Sequence, residues 1–202
     1  VGNVLDLLRE LGLEENTIVF FTGDNGGQDR FKSKEHPRGF FGPNVNPETG
    51  VEFRGGKGNL YEGGLKIPFL VRWPGVVAAN TVRDLVFYQP DIMATIADIT
   101  NTKAPEDTDG ISIAPTLLGA DGSQKLHEMM YWEYGNQTAV RYGKWKAIQP
   151  GKPKGSKQNQ PWELYDLSRD VSESTSVADS HSDVLDKMKA FADASHDPVE
   201  AG

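Results

Sequence analysis

The run Thr17-Ile18-Val19-Phe20-Phe21-Thr22 drives straight into Gly23-Asp24-Asn25-Gly26-Gly27, and this junction constrains the fold more than any other stretch. A short apolar run rich in β-branched and aromatic residues, bounded by turn residues, reads as a buried strand. A carboxylate, a carboxamide and two glycines then stand where that strand stops. In open α/β sheets ligands bind at the carboxyl ends of strands, so Asp24 and Asn25 are placed to offer oxygen ligands to a hard cation. Asp-Asn-Gly is also an ordinary turn sequence, and the segment alone leaves both readings open.

The flanking pattern is that of an α/β layer. Val1, Val4, Leu5, Leu8 and Leu11 recur at helical spacing, with Gly12 as a stop. Ile67 to Trp73 is a second apolar run, closed by Pro74-Gly75, and reads as another core strand. A helix follows at about 89 to 99, where Pro90 suits the first turn and Ile92, Ile96 and Ile99 line one face. Ile111 to Leu118 suggests one short helix broken by Pro115. After about residue 120 the pattern changes to short alternating strands at 128–134, 138–142, 145–149 and 162–167, then a helix near 181–193 with Val184, Leu185, Met188, Phe191 and Ala192 as its apolar stripe. This predicts two domains: residues 1–120 in an α/β layer, and residues 121–202 as an antiparallel sheet covered by a helix.

Charge and composition exclude several functions. The chain has 21 basic and 29 acidic residues, a net charge of −8, which argues against nucleic-acid binding through a basic surface. There is no cysteine, which removes disulfides, thiolate metal sites and a cysteine nucleophile. No run approaches the ~18 consecutive apolar residues of a membrane span. Within the long loop from 28 to 59, Arg30, Lys32, Lys34 and Arg38 outnumber Asp29 and Glu35, making a solvated charged loop or a surface that attracts an anion. His36 lies in this loop and is a candidate substrate contact. His127, His181 and His196 fall on expected turns or helix ends and are assigned no role.

The second dense motif is Phe53-Arg54-Gly55-Gly56-Lys57-Gly58-Asn59-Leu60-Tyr61-Glu62-Gly63-Gly64. Glycines around one lysine let the backbone approach a bound group closely, while the ammonium supplies a compact positive charge suited to a tetrahedral oxyanion. It is not a phosphate-binding P-loop, because the Gly-x-x-x-x-Gly-Lys-[Ser/Thr] pattern fails at Asn59. Tyr61 and Glu62 read as residues that fix the loop. Trp132, Trp145 and Trp162 read as packing residues of the antiparallel sheet.

Taken together, Asp24-Asn25-Gly26 and Gly56-Lys57-Gly58-Asn59-Leu60-Tyr61-Glu62-Gly63-Gly64 resemble the C-terminal part of a type I sulfatase of the alkaline phosphatase superfamily. Ile67-Pro68-Phe69-Leu70-Val71-Arg72-Trp73-Pro74-Gly75, Gln89-Pro90-Asp91-Ile92-Met93-Ala94-Thr95, Asp109-Gly110-Ile111-Ser112 and Glu163-Leu164-Tyr165-Asp166-Leu167 are similar to later landmarks of that family. The resemblance implies the C-terminal part of an alkaline-phosphatase-like α/β fold, followed by a small α+β subdomain. It further implies that Asp24 and Asn25 ligate calcium and that Lys57 contacts the sulfate of a sulfate ester.

The family's nucleophile is a formylglycine made from Cys or Ser in Cys/Ser-x-Pro-x-Arg. This sequence has no Cys and no Ser followed two places later by Pro. The upstream Asp-Asp pair of the family's calcium site is also missing. Calcium takes ~6 to 8 oxygen ligands, more than Asp24 and Asn25 supply. The expectation is therefore a portion of a sulfatase, inactive by itself, whose formylglycine belongs to a missing N-terminal half. That half, or self-association, would cover the open sheet edge. A phosphodiesterase or phosphonate hydrolase on the same scaffold, and a non-catalytic module for sulfated carbohydrate, remain as alternatives. The family further implies a periplasmic or secreted location.

Overall fold

The computed structural model describes residues 1–28 and 44–197, and it groups them into two compact units. One joins Val1–Thr22 to Pro68–His127; the other joins Gly23–Ile67 to Glu128–Gly202.

In the first unit, α1 (Gly2–Glu10) gives way at Gly12, whose φ of 67° is open to glycine without a Cβ penalty. A single 3-10 turn then leads into β1 (Val19–Thr22), which pairs antiparallel with β2 (Phe69–Arg72) so that Phe20 lies opposite Val71 and Thr22 opposite Phe69. The Phe20 and Phe69 rings lie 5.8 Å apart, and Phe69 meets Phe87 edge-on at 4.7 Å.

The helix expected at 89–99 forms as Pro90–Ile99, with proline in its first turn, but it buries a different face. Asp91, Ala94, Thr95 and Ala97 are buried, whereas Ile96 is exposed. The cause is a polar anchor. The Asp91 carboxylate accepts the backbone N–H of Ile111 at 2.7 Å and of Tyr88 at 3.0 Å, and Thr95 Oγ1 accepts that of Ile113 at 2.9 Å. The chain at 110 presses so close that a Cβ on Gly110 would lie 2.3 Å from the Pro90 carbonyl oxygen. Small residues, not isoleucines, permit that approach. Downstream, the helix at Ala114–Leu117 contains Pro115 in its first turn instead of being broken by it.

The second unit is built on a four-stranded antiparallel sheet. Met129–Tyr134, Gln137–Tyr142, Trp145–Gln149 and Glu163–Asp166, here β3 to β6, pair in sequence order. Alternation sends successive side chains to opposite faces. On one face Val140, Ala147 and Leu164 pack against Leu185, Met188 and Ala192 of a C-terminal helix, Ser182–Ser195. On the other, Ala139, Ile148 and Tyr165 pack against Leu60 and Tyr61. The sheet is thus covered on its second face by the glycine-rich segment itself.

Candidate functional site

The two sequence motifs meet through their backbones. Gly26 N–H donates to the Gly64 carbonyl at 2.8 Å, and Lys57 N–H donates to the Gly27 carbonyl at 2.9 Å. The Asn44 carboxamide clamps both strands of this contact, donating to Gly63 O at 2.7 Å and to Gly27 O at 3.1 Å. Glycine is obligatory here because the backbones interleave: a Cβ on Gly26 would lie 1.9 Å from Gly63 O, and one on Gly63 would lie 2.1 Å from Gly55 O. Asp24 and Lys57 are exposed and Asn25 is half-buried. No described residue forms an ion pair with Asp24 or Lys57.

The glycine-rich segment is held from the sheet side by two polar clusters. In the first, Arg54 Nη1 donates to Tyr165 Oη at 2.7 Å, to Glu163 Oε2 at 3.2 Å and to Glu173 O at 3.0 Å, while its guanidinium lies 3.9 Å from the centre of the Tyr61 ring. Glu163 Oε2 also accepts from Tyr61 Oη at 2.7 Å and from Tyr165 Oη at 2.6 Å. Burial, then the bond to Glu163, pushes both phenols well above the usual tyrosine range.

In the second cluster, Lys146 is 1% exposed and its ammonium sits 2.9 Å from both Glu62 Oε1 and Glu173 Oε1. Glu173 is fully buried, and its Oε2 accepts the Glu62 backbone N–H at 2.6 Å. It holds a φ of 51°, an uncommon conformation for a residue with a side chain, which the surrounding contacts must enforce. One cation serves two carboxylates, so the pair divides. Burial works against the charge on Glu62, but Lys146, with Arg141 beyond it, outweighs this and holds the carboxyl below the ordinary value. For Glu173 burial wins and pushes the carboxyl up.

Asp24, Asn25 and Lys57 thus lie on segments tied directly together. His36 and the basic residues Arg30, Lys32, Lys34 and Arg38 lie outside the described residues. Of the histidines given no role, His127 pairs with Asp91 at 2.8 Å, His196 with Glu133 at 2.8 Å, and His181 packs on Trp145. The sequence reading missed Lys146, Glu173 and Arg54. A signal existed for Lys146: alternation puts it on the same sheet face as Ile148, so a lysine there must find buried carboxylates. Glu173 carries no such signal, because it sits in a turn.

This chain belongs to the sulfatase family. The family model for sulfatases matches residues 1–102, and the model for the C-terminal region of N-sulphoglucosamine sulphohydrolase matches residues 55–195. An N-acetylgalactosamine-6-O-sulfatase of Bacteroides thetaiotaomicron is 33% identical over 207 residues, covering 96% of this chain and 39% of the relative. Human arylsulfatase A is 31% identical, covering 94% of this chain and 39% of its own length. A solved sulfatase from a Bacteroides thetaiotaomicron locus for the metabolism of multiple glycosaminoglycans superimposes with a TM-score of 0.72 at 29% identity, covering 96% of this chain and 41% of that one. The chain therefore spans about two fifths of the length of these proteins. Its fold is theirs: the C-terminal part of the sulfatase α/β fold with its antiparallel sheet and helix.

Calcium is the metal this family implies, and the donor set fits it in kind. Asp24 and Asn25 offer hard oxygens, and Gln28 in the same segment has a buried Oε1 that accepts no hydrogen bond from any described residue. The set is short in number. Among the described residues no group of three or more acidic or histidine side chains could hold a metal. Formylglycine does not fit, since the sequence carries no precursor motif.

Proposed function

We propose that this chain supplies part of a sulfatase active centre, with Asp24 and Asn25 as calcium ligands and Lys57 as the sulfate contact. The observation that carries this reading is the direct backbone tie between the two motifs, Lys57 N–H to Gly27 O at 2.9 Å, with neither Asp24 nor Lys57 ion-paired to a described residue. Calcium, when bound, supplies a Lewis acid for the sulfate ester. Lys57 would place its ammonium against the sulfate oxygens and neutralise their charge as the S–O bond breaks. Asp24 contributes the negative charge that offsets the cation, and Asn25 contributes a neutral carbonyl oxygen.

The remaining calcium ligands and the nucleophile come from polypeptide other than these 202 residues, an N-terminal half of the enzyme, since a second copy would carry the same sequence without a precursor motif and could only cover the sheet edge. Residues 1–120 then act as the C-terminal part of the catalytic domain, and residues 121–202 as the subdomain that braces the lysine loop. The substrate is a sulfate ester, and similarity to an N-acetylgalactosamine-6-O-sulfatase favours a sulfated carbohydrate. A periplasmic or secreted location accords with such substrates.

The test uses the 202-residue chain with an aryl sulfate and added calcium. No turnover is expected, while inorganic sulfate binds weakly and loses that binding in Lys57→Ala. Repeated calcium-dependent turnovers would show that the nucleophile lies within this chain and contradict the proposal.

A further inference from the structure

The connection from β5 to β6, residues 150–161, has a charge pattern unlike the rest of the chain. Between Glu133 and Glu163 there is no acidic residue, while Arg141, Lys144, Lys146, Lys152, Lys154 and Lys157 are all basic, in a protein of net charge −8. Lys146 is spent inside the sheet on Glu62 and Glu173, and Lys144 pairs with Asp166 at 2.7 Å. Lys152, Lys154 and Lys157 are exposed, and none of them forms an ion pair with a described residue.

The loop is closed at its base, and that base adjoins the β3–β4 turn. Gln160 Nε2 donates to Gly151 O at 2.6 Å, and Gln149 Nε2 donates to Gln160 O at 3.2 Å. Gly151 presses on the β3–β4 turn so closely that a Cβ there would come within 2.5 Å of Asn136 Oδ1 and 3.2 Å of Gln137 Cγ. Gln137 in turn reaches the glycine-rich segment: its Nε2 donates to Gly58 O at 3.1 Å, and its Oε1 accepts the Leu60 N–H at 3.4 Å. Gly58 is the neighbour of Lys57. Two short steps of direct contact therefore join the base of the basic loop to the backbone beside Lys57.

On an acidic protein a polyanion is repelled except where cations are gathered and unneutralised. Lysines suit this task where no fixed geometry is needed, since each ammonium is a mobile, hydrated point charge. Screening over about 10 Å at 0.1 M salt confines their effect to groups that come close, so they act on a ligand long enough to extend from one site to the next. We infer that Lys152, Lys154 and Lys157 form a binding surface for the flanking sulfate or carboxylate groups of a linear anionic glycan, one sulfate of which is held at Lys57. The inference rests on the sulfatase reading for its anchoring sulfate, and on the loop alone for its extension.

Calorimetric titration of the 202-residue chain tests it with three probes: a dextran sulfate oligomer, neutral dextran of the same length, and inorganic sulfate. The joint variant Lys152→Ala, Lys154→Ala and Lys157→Ala is expected to bind dextran sulfate about tenfold or more weakly, with the slope of log K against log salt flatter by ~2, as the loss of three phosphate-like contacts on a single strand would give. Inorganic sulfate affinity stays unchanged in that variant, neutral dextran does not bind, and replacing the three lysines by arginine restores the polymer affinity. If the alanine variant binds dextran sulfate as the parent does, the loop proposal falls. If it weakens as expected but Lys57→Ala leaves inorganic sulfate binding intact, the loop proposal stands and the assignment of Lys57 falls. Equal binding of poly(U) at matched charge, lost in the same variant, would overturn the assignment to glycans.

Discussion

Lys57 donates its backbone N–H to the carbonyl oxygen of Gly27 at 2.9 Å, so the lysine and the Asp24-Asn25 pair are positioned by one and the same backbone contact. The pair proposed to bind the cation and the lysine proposed to contact the sulfate are thus tied through backbone groups.

The interleaved glycines should therefore be the least tolerant positions of the site. Gly26→Ala would place a methyl group 1.9 Å from a carbonyl oxygen, and overpacking of this kind costs roughly 1–3 kcal/mol or more. Gly122→Ala, with nothing within 4 Å of the added carbon, serves as the control and should be near neutral. Denaturant unfolding measures the difference; equal effects at the two positions would show that the motifs do not touch.

Lys146→Met should be strongly destabilising and its effect should depend on pH. Removing the cation leaves Glu62 and Glu173 buried together without the ammonium that pairs with both, and breaking such a cluster costs about 3–5 kcal/mol. In the parent, the depressed carboxyl of Glu62 contributes stability that is present above its unfolded value and is lost as pH falls through its folded value. In the variant both carboxyls are raised, so their cost is full at neutral pH and vanishes as they protonate. The two effects have the same sign: the gap between parent and variant narrows from pH 7 toward pH 4. Urea midpoints at the two pH values measure it, and a gap that widened on acidification would contradict the cluster.

The phenols of Tyr61 and Tyr165 should report on the first cluster. Both are buried and bonded to Glu163 Oε2, and both are held above the ordinary tyrosine range. Glu163→Gln removes the negative charge while keeping an acceptor, so both phenols should ionise at lower pH than in the parent. Ultraviolet absorbance of phenolate against pH follows this directly; an unchanged titration would mean that burial alone sets the phenol values.

The sequence made the antiparallel sheet legible because its alternation is clean: Val140, Ala147 and Leu164 face the helix, while Ala139, Ile148 and Tyr165 face away. The stripe of that helix was equally readable, with Leu185, Met188 and Ala192 buried. The helix at Pro90–Ile99 was legible in extent but not in orientation, because Asp91 and Thr95 are drawn inward by backbone donors from residues 88, 111 and 113 that no periodicity reveals. The motif residues Asp24, Asn25 and Lys57 stood out by type. What spacing could not show was the contact between Gly26 and Gly64, since glycine carries no side chain to advertise a partner.

The most direct test of the shared site is paramagnetic broadening in the 202-residue chain. Titrated with Mn2+ as an oxygen-seeking probe, the amide signals of Asp24 and Asn25 should broaden first and that of Lys57 with them, and Asp24→Ala should abolish the broadening at all three. Broadening confined to other acidic surfaces, with the Asp24, Asn25 and Lys57 signals untouched, would contradict the account.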